Sequence, residues 1–194
     1  MQEYDEISDW FAATRSTEAG LPDIADFVRP LRPRSKILEL GCGHGIPISR
    51  FLIQSGFELF AIDSSVRMIS RFRATFPDTR AQRATIQESD FFNTSFDAVV
   101  AWGVLLHLTG DEHAGAVAKV SEHLVAGGRF FFTAADEAGT TESTMNEVDF
   151  RYFSLGSANY RRLLEENGFV LVDEHRDLWD NYVYVAQKRP DTPL

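Results

Sequence analysis

The chain has 194 residues, room for one domain of ordinary size and hardly for two. Its 44% hydrophobic and 12% aromatic content suffices for a packed core and excludes general disorder. With 29 acidic against 19 basic residues the formal charge is −10, which argues against a phosphate-backbone binder, so no nucleic-acid partner is expected. The lone cysteine, Cys42, excludes an internal disulfide framework and a Cys-rich metal site, and no metal is expected. Residues Met1–Glu6 are acidic and lack the basic and apolar regions of a signal peptide, and no run reaches membrane-spanning length. A cytoplasmic protein with no membrane association is expected.

In chain order, the first thirty residues read as two short helices, with Ile7, Trp10, Phe11 and Thr14 on one face. Pro30 and Pro33 punctuate the chain before a buried-strand pattern, Lys36-Ile37-Leu38-Glu39-Leu40. A glycine-rich turn, Gly41–Gly45, leads into a helix over Pro47–Ser55 that Gly56 closes. A second strand, Phe57–Ile62, ends at Asp63, and Ser64 or Ser65 caps a helix carrying Met68, Phe72 and Phe76. Arg80–Ile86 fits a short third strand and Phe96–Ala101 a fourth. A helix over Asp111–Val125, stopped by Gly127-Gly128, precedes a fifth strand at Arg129–Thr133. Residues 134–155 are polar and mixed, without a period, and read as a functional loop or lid. Ser157 caps a last helix with Tyr160, Leu163 and Leu164 inward. The strands Phe169–Val172 and Tyr182–Val185 follow as an antiparallel pair around an acidic turn, Asp173–Asn181.

Alternating strands and helices imply an α/β fold, with parallel strands joined by right-handed crossovers and helices on both faces. Such a sheet binds ligands beyond the carboxyl ends of its strands, near the switch in strand order. The two features that stand there are the loop Glu39-Leu40-Gly41-Cys42-Gly43-His44-Gly45 and Asp63, twenty residues beyond Gly43. Glycines let a loop turn sharply and let a ligand approach main chain without meeting a Cβ. A carboxylate at the end of the second strand can accept hydrogen bonds from both hydroxyls of a ribose.

Five segments in order then carry a family resemblance: Ile37–Gly45, Ala61–Ser65, Ser95–Val100, Leu105–Leu108 and Leu124–Phe130. By these segments the sequence resembles the class I S-adenosylmethionine-dependent methyltransferases of small-molecule type, and the resemblance spans roughly residues 5–188. The resemblance implies a Rossmann-like, doubly wound, mostly parallel seven-stranded sheet with an antiparallel C-terminal strand. It also implies one domain over residues 1–194, S-adenosyl-L-methionine as cofactor and a small-molecule methyl acceptor as partner. Glu39 and the backbone of Gly41, Cys42 and Gly43 would hold the methionine end, Asp63 the ribose, and Ser64 and Met68 the adenine, although Met68 equally suits a helix core. Where the family carries an acidic and a small residue beside adenine, this chain has Thr85 and Ile86. The adenine edge then falls to a backbone N–H of Ile86 or Gln87, or to the side chain of Gln87 or Glu88.

By the same resemblance, Trp102 and Gly103 pass beneath the methionine moiety. His107 is the candidate general base, with packing as its alternative. Residues 1–30 resemble a helical lid in which Tyr4 and Trp10 exclude water and Arg15 meets the methionine carboxylate, the other reading being a surface helix with Trp10 inward. His44, His113, His123 and His175 read as loop or helix-surface residues. The acceptor pocket is expected from the N-terminal segment, residues 90–92 and residues 134–155, where Phe91, Phe92, Phe150, Tyr152 and Phe153 supply aromatic walls, some of them core. Two alternatives stand: a non-catalytic S-adenosylmethionine-binding protein, and a nicotinamide-dependent oxidoreductase. Against the second, Ile46 stands where the dinucleotide pattern G-x-G-x-x-G has its third glycine. The oligomeric state is unknown.

Overall fold

A computed structural model describes residues 2–190; Met1 and residues 191–194 of the expected 1–194 domain lie outside the described residues. Three short helices open the chain where two were expected: α1 (Gln2–Glu6), α2 (Ser8–Thr14) and α3 (Leu21–Val28). Then come β1 (Lys36–Leu40), α4 (Ile48–Gln54), β2 (Glu58–Asp63), α5 (Val66–Thr75), β3 (Arg80–Arg83), β4 (Phe96–Ala101) and α6 (Gly110–His123). The rest is β5 (Leu124–Ala134), β6 (Ala138–Met145), β7 (Val148–Leu155), α7 (Ser157–Glu166), β8 (Phe169–Arg176) and β9 (Tyr182–Lys188).

Seven strands form one sheet in the order β3-β2-β1-β4-β5-β9-β8. All neighbours pair in parallel except β9, which runs antiparallel to both β5 and β8. The chain winds outward from β1 through β2 to β3, then returns to β4 beside β1, so the switch in strand order lies between β1 and β4. Successive residues of the central strands bury opposite faces. Phe130 and Phe132 join a core with Tyr160, Tyr184, Val117 and Phe96 under α6 and α7. Phe131 joins the other with Phe27, Phe72, Leu52 and Trp102 under α3, α4 and α5.

Local chemistry explains most boundaries. Ser65 caps α5 by accepting the Met68 N–H at 3.0 Å. At α6 the Glu112 carboxylate reaches back to the Thr109 N–H at 2.7 Å. That helix ends at His123 rather than running to Val125. Leu124 already pairs with Phe96, and Gly127-Gly128 sit inside β5, where the register against β4 shifts between Phe96 and Ala98. The strand β8 continues to Arg176, because Asp173–Arg176 pair with residues of β9; only residues 177–181 make the turn.

The largest correction concerns residues 134–155, expected as a structureless loop. They form a hairpin, with Met145 opposite Val148 and the two turn residues Asn146 and Glu147 both at positive φ, 47° and 66°. The period was hidden because β6 is exposed along almost all its length, so neither of its faces is apolar. The Ser154 hydroxyl donates to the Ala135 carbonyl at 2.7 Å and so ties the hairpin base to the end of β5.

Candidate active site

β1, buried beyond Lys36, delivers the chain into residues 41–45 at the carboxyl edge of the sheet. The three glycines there do two jobs. A Cβ on Gly41 would lie 2.6 Å from the Val104 side chain, and one on Gly45 would lie 2.5 Å from the Phe76 ring, so these two permit close packing. A Cβ on Gly43, at φ +57°, would meet nothing within 4 Å. Gly43 faces a cavity of about 290 Å³ that opens beside β1 and β4.

Asp63 closes the loop from β2. One carboxylate oxygen accepts the Gly43 N–H at 2.8 Å and the other the Ser65 N–H at 2.8 Å. Each oxygen keeps a second lone-pair direction, and Asp63 borders both the large cavity and a smaller one of about 160 Å³. Burial pushes its pKa up, and the two N–H donors pull it back. Glu39 lies behind the loop, only 4% exposed, with the Ser49 hydroxyl donating to it at 2.5 Å. Burial raises its pKa to about 8 against the Ser49 bond that lowers it. Near neutral pH it therefore holds a proton. Burial likewise holds the Cys42 thiol protonated, so no reactive thiolate forms there.

The far wall is aromatic. Tyr4 from α1 stands 5.1 Å, centroid to centroid, from Phe150 of β7 and 5.5 Å from His107, and its hydroxyl lies 3.3 Å from His107 Nε2. Tyr152 lies 5.2 Å from His107. Burial lowers the His107 pKa to about 4 and raises that of Tyr4, so both are neutral at pH 7 and His107 is a weak base there. The first two helices are held over the sheet by acids on arginines and a helix cap. Asp5 accepts from the Ser65 hydroxyl at 2.6 Å and the Arg67 N–H at 2.9 Å, and Asp9 pairs with Arg67 and Arg71.

Of the residues singled out from sequence, Tyr4, Arg15, Glu39, Gly41, Cys42, Gly43, Asp63, Met68, Trp102, Gly103 and His107 border the larger cavity. Ser64, Ile86 and Gln87 border the smaller one, with Gly41, Asp63 and His107 again. Met68 is thus on the side away from Ile86 and Gln87, and at 1% exposure it also serves the core of α5. Trp10 borders neither cavity. It is 38% exposed, and Phe11, one residue on, takes the place expected of it because the helix turns that side chain inward. Glu88 is engaged by the N–H and hydroxyl of Thr85 and does not border the smaller cavity.

The histidines also need correcting. His113 is fully buried against Tyr160, and His44 borders the larger cavity beside Phe11 with its pKa lowered by burial and by Arg15. His175 bridges Asp23 at 2.7 Å and Asp173 at 2.9 Å. Phe91 is buried against His123, and Phe92 packs on Phe60, so these two rings belong to the core side, and none of residues 90–92 borders either cavity. Sequence reasoning missed Phe11, His44, Met145 and Asn181. The glycine loop signalled His44, whereas nothing local places Met145 and Asn181, which arrive from the hairpin tip and the β8–β9 turn. Among the described residues no group of three or more His, Cys, Asp or Glu is arranged to hold a metal ion, and no helix is long and apolar enough to cross a membrane.

Residues 37–128 match the family described as methyltransferase domain. An uncharacterized methyltransferase of Mycobacterium tuberculosis is 28% identical over 167 residues, which cover 84% of this chain and 64% of that relative. The chain thus spans less than two thirds of the relative's length. Among solved structures, the CcbJ methyltransferase from Streptomyces caelestis superposes with a TM-score of 0.79 at 19% identity over 98% of both chains. The Burkholderia thailandensis 1,6-didemethyltoxoflavin-N1-methyltransferase, solved with 1,6-didemethyltoxoflavin and S-adenosylhomocysteine, gives 0.73 at 19% identity over 97% of this chain and 87% of that one. At such identities the likeness is one of fold.

Proposed function

Because residues 37–128 match the methyltransferase-domain family, we propose that the chain is a class I S-adenosylmethionine-dependent methyltransferase that transfers a methyl group to a small-molecule acceptor by in-line displacement in a water-excluded site. The observation that carries this reading is Gly43 open to the cavity, with its N–H held on Asp63, the carboxylate that borders both cavities. That cradle fits the cofactor: a side chain at position 43 would fill it, and Asp63 has lone pairs to spare for two ribose hydroxyls. Bound S-adenosylmethionine supplies a methyl carbon on a cationic sulfur that leaves as a neutral thioether.

The chain's own residues then have separable tasks. Glu39, protonated while the site lacks a cation, would release its proton and offset positive charge near the loop. Arg15, bordering the larger cavity and partly sequestered by burial, would meet a carboxylate. Trp102 and Gly103 form the floor, and the Gly103 N–H is held by the Thr133 hydroxyl at 2.8 Å. Tyr4, Phe11 and Tyr152 exclude water and narrow the approach of the acceptor. Transfer from a sulfonium asks for alignment more than for a base, which agrees with a His107 whose pKa lies near 4. The hairpin β6–β7 would form the acceptor side through Met145 and Tyr152, while Phe150 and Phe153 border neither cavity, and together with Tyr4 and Phe11 the lining suits a small, partly apolar molecule.

The test is calorimetric titration of the whole chain with S-adenosylhomocysteine and, separately, with NADH, each repeated on Asp63→Ala. Binding of the first ligand alone is expected, weakened by Asp63→Ala at least tenfold, since charge-assisted hydrogen bonds are worth roughly 1.5–3 kcal/mol each. Binding of NADH alone would overturn the cofactor assignment, and unchanged affinity in Asp63→Ala would overturn the ribose site. A metabolite library screened for methylation then identifies the acceptor; cofactor binding without turnover on any acceptor would favour a non-catalytic role.

A further inference from the structure

The smaller cavity is bordered by Ile86 and Gln87 of the connection between β3 and β4. Neither residue belongs to a helix or strand, so something else must hold their peptide groups. That something is a single side chain. Lys119, on α6, donates from its ammonium to the carbonyl of Ile86 at 2.9 Å, to that of Gln87 at 2.9 Å, and to that of Ser89. An ammonium has three N–H donors, and here all three are spent on one loop. The same ammonium stands 4.9 Å from the centroid of the Phe91 ring, which keeps its position as the loop leaves toward β4.

In a trans peptide the carbonyl and the following N–H point in opposite directions. With the Ile86 carbonyl drawn toward α6, the Gln87 N–H is turned away from it, and it has no hydrogen-bond partner among the described residues. The Glu88 N–H, by contrast, is used within the loop, on the Thr85 hydroxyl at 3.2 Å. Two main-chain donors of residues that border the smaller cavity, the N–H groups of Ile86 and Gln87, thus have no partner among the described residues, and of these only the Gln87 N–H follows a carbonyl that Lys119 holds.

We propose that Lys119 is the positioning residue for nucleobase recognition: by gathering three loop carbonyls on α6 it presents the Gln87 N–H to an acceptor nitrogen on the edge of the base. The proposal rests on the cofactor reading above and adds to it how this chain, whose Glu112 beside the smaller cavity is engaged through one oxygen by the Thr109 cap, tells one purine from another. A backbone donor discriminates only if its direction is held, because a loop free to rotate would satisfy a ring nitrogen and a ring N–H alike.

The experiment compares two ligands by calorimetry on the whole chain. S-adenosylhomocysteine offers an unprotonated nitrogen at the position where S-inosylhomocysteine carries an N–H. Wild type is expected to prefer the adenosyl ligand by roughly tenfold or more. In Lys119→Met the preference should narrow to within about threefold, chiefly through weaker binding of the adenosyl ligand. Lys119→Gln, which keeps two N–H donors, should narrow it by an intermediate amount and gives the same comparison where the methionine variant does not fold. An unchanged preference, or equal weakening of both ligands, would leave Lys119 a merely structural residue and overturn the proposal. Equal binding of both ligands by wild type would remove the Gln87 N–H from base recognition. Wild type that binds neither ligand overturns the cofactor reading itself, a failure distinct from the others.

Discussion

The two sides of the larger cavity are built differently. On the sheet side, the ligand-facing groups are main-chain atoms and short side chains fixed by buried strands: Gly43 and its N–H, Asp63 at the end of β2, Glu39 inside β1. On the lid side, they are rings on short or exposed pieces: Tyr4 on a five-residue helix, Tyr152 on a hairpin whose outer strand is exposed along almost its whole length. The sheet side cannot shift without disturbing two cores, whereas the lid side is tied by ring contacts and surface ion pairs worth little singly. The contrast is between a half fixed by two cores and a half held by ring contacts and surface pairs, and on the proposed function the first would hold the cofactor and the second the acceptor.

The strongest way to break this comparison is to fill the rigid half. Gly43→Val places a branched side chain, at a φ that valine resists, in the space left for a ligand. S-adenosylhomocysteine affinity should fall at least a hundredfold, which is about 2.7 kcal/mol. A folded variant with wild-type affinity would show that the loop does not face the ligand.

The buried acid sharpens it. Glu39 has a folded pKa near 8, above its ordinary value. Below the ordinary carboxylate range it is protonated in both folded and unfolded chains and costs nothing. As pH rises toward 8 only the unfolded chain ionises, so stability is lost across that window, at up to about 1.4 kcal/mol per pH unit. Glu39→Gln should therefore gain stability over wild type from pH 5 to pH 8, read by urea unfolding at both values. A gap that does not widen with pH would mean that Glu39 is ionised inside the fold.

The smallest effect is expected on the lid. Tyr152→Ala removes a ring from the wall but no contact from the glycine loop. Turnover of an acceptor found by screening should drop roughly tenfold while S-adenosylhomocysteine affinity stays within about threefold. Steady-state kinetics beside calorimetry decide it: equal loss of both would make the lid part of the cofactor site, and loss of neither would place the acceptor elsewhere.

The sheet side was legible in the sequence, and the reason lies in its residues. A strand buried on both faces reads as a short apolar run, as Ala98–Ala101 does and as Ile37–Leu40 does but for Glu39, and a turn at positive φ favours glycine, as at Gly41, Gly43 and Gly45. The hairpin was not legible. Its outer strand is exposed up to the half-buried Met145, so it has no apolar period, and its turn uses Asn146-Glu147 rather than a glycine pair. Trp10 and Phe11 illustrate a finer limit: both suit an inward face of a short helix, and one residue of phase decides which ring reaches the cavity.

By itself, then, the chain's pattern of apolar runs, glycines and strand-end acids determined the alternating strands and the loop that follows the first of them, because these are local demands of burial and backbone angle. Tertiary structure alone decided that Phe91 is core while Met145 and Asn181 reach the cavity, that His113 is buried while His44 borders the site, and that one lysine 32 residues beyond Gln87 gathers the loop carbonyls. Such contacts join residues distant in the chain through packing of whole elements, and no local pattern in either partner announces the other.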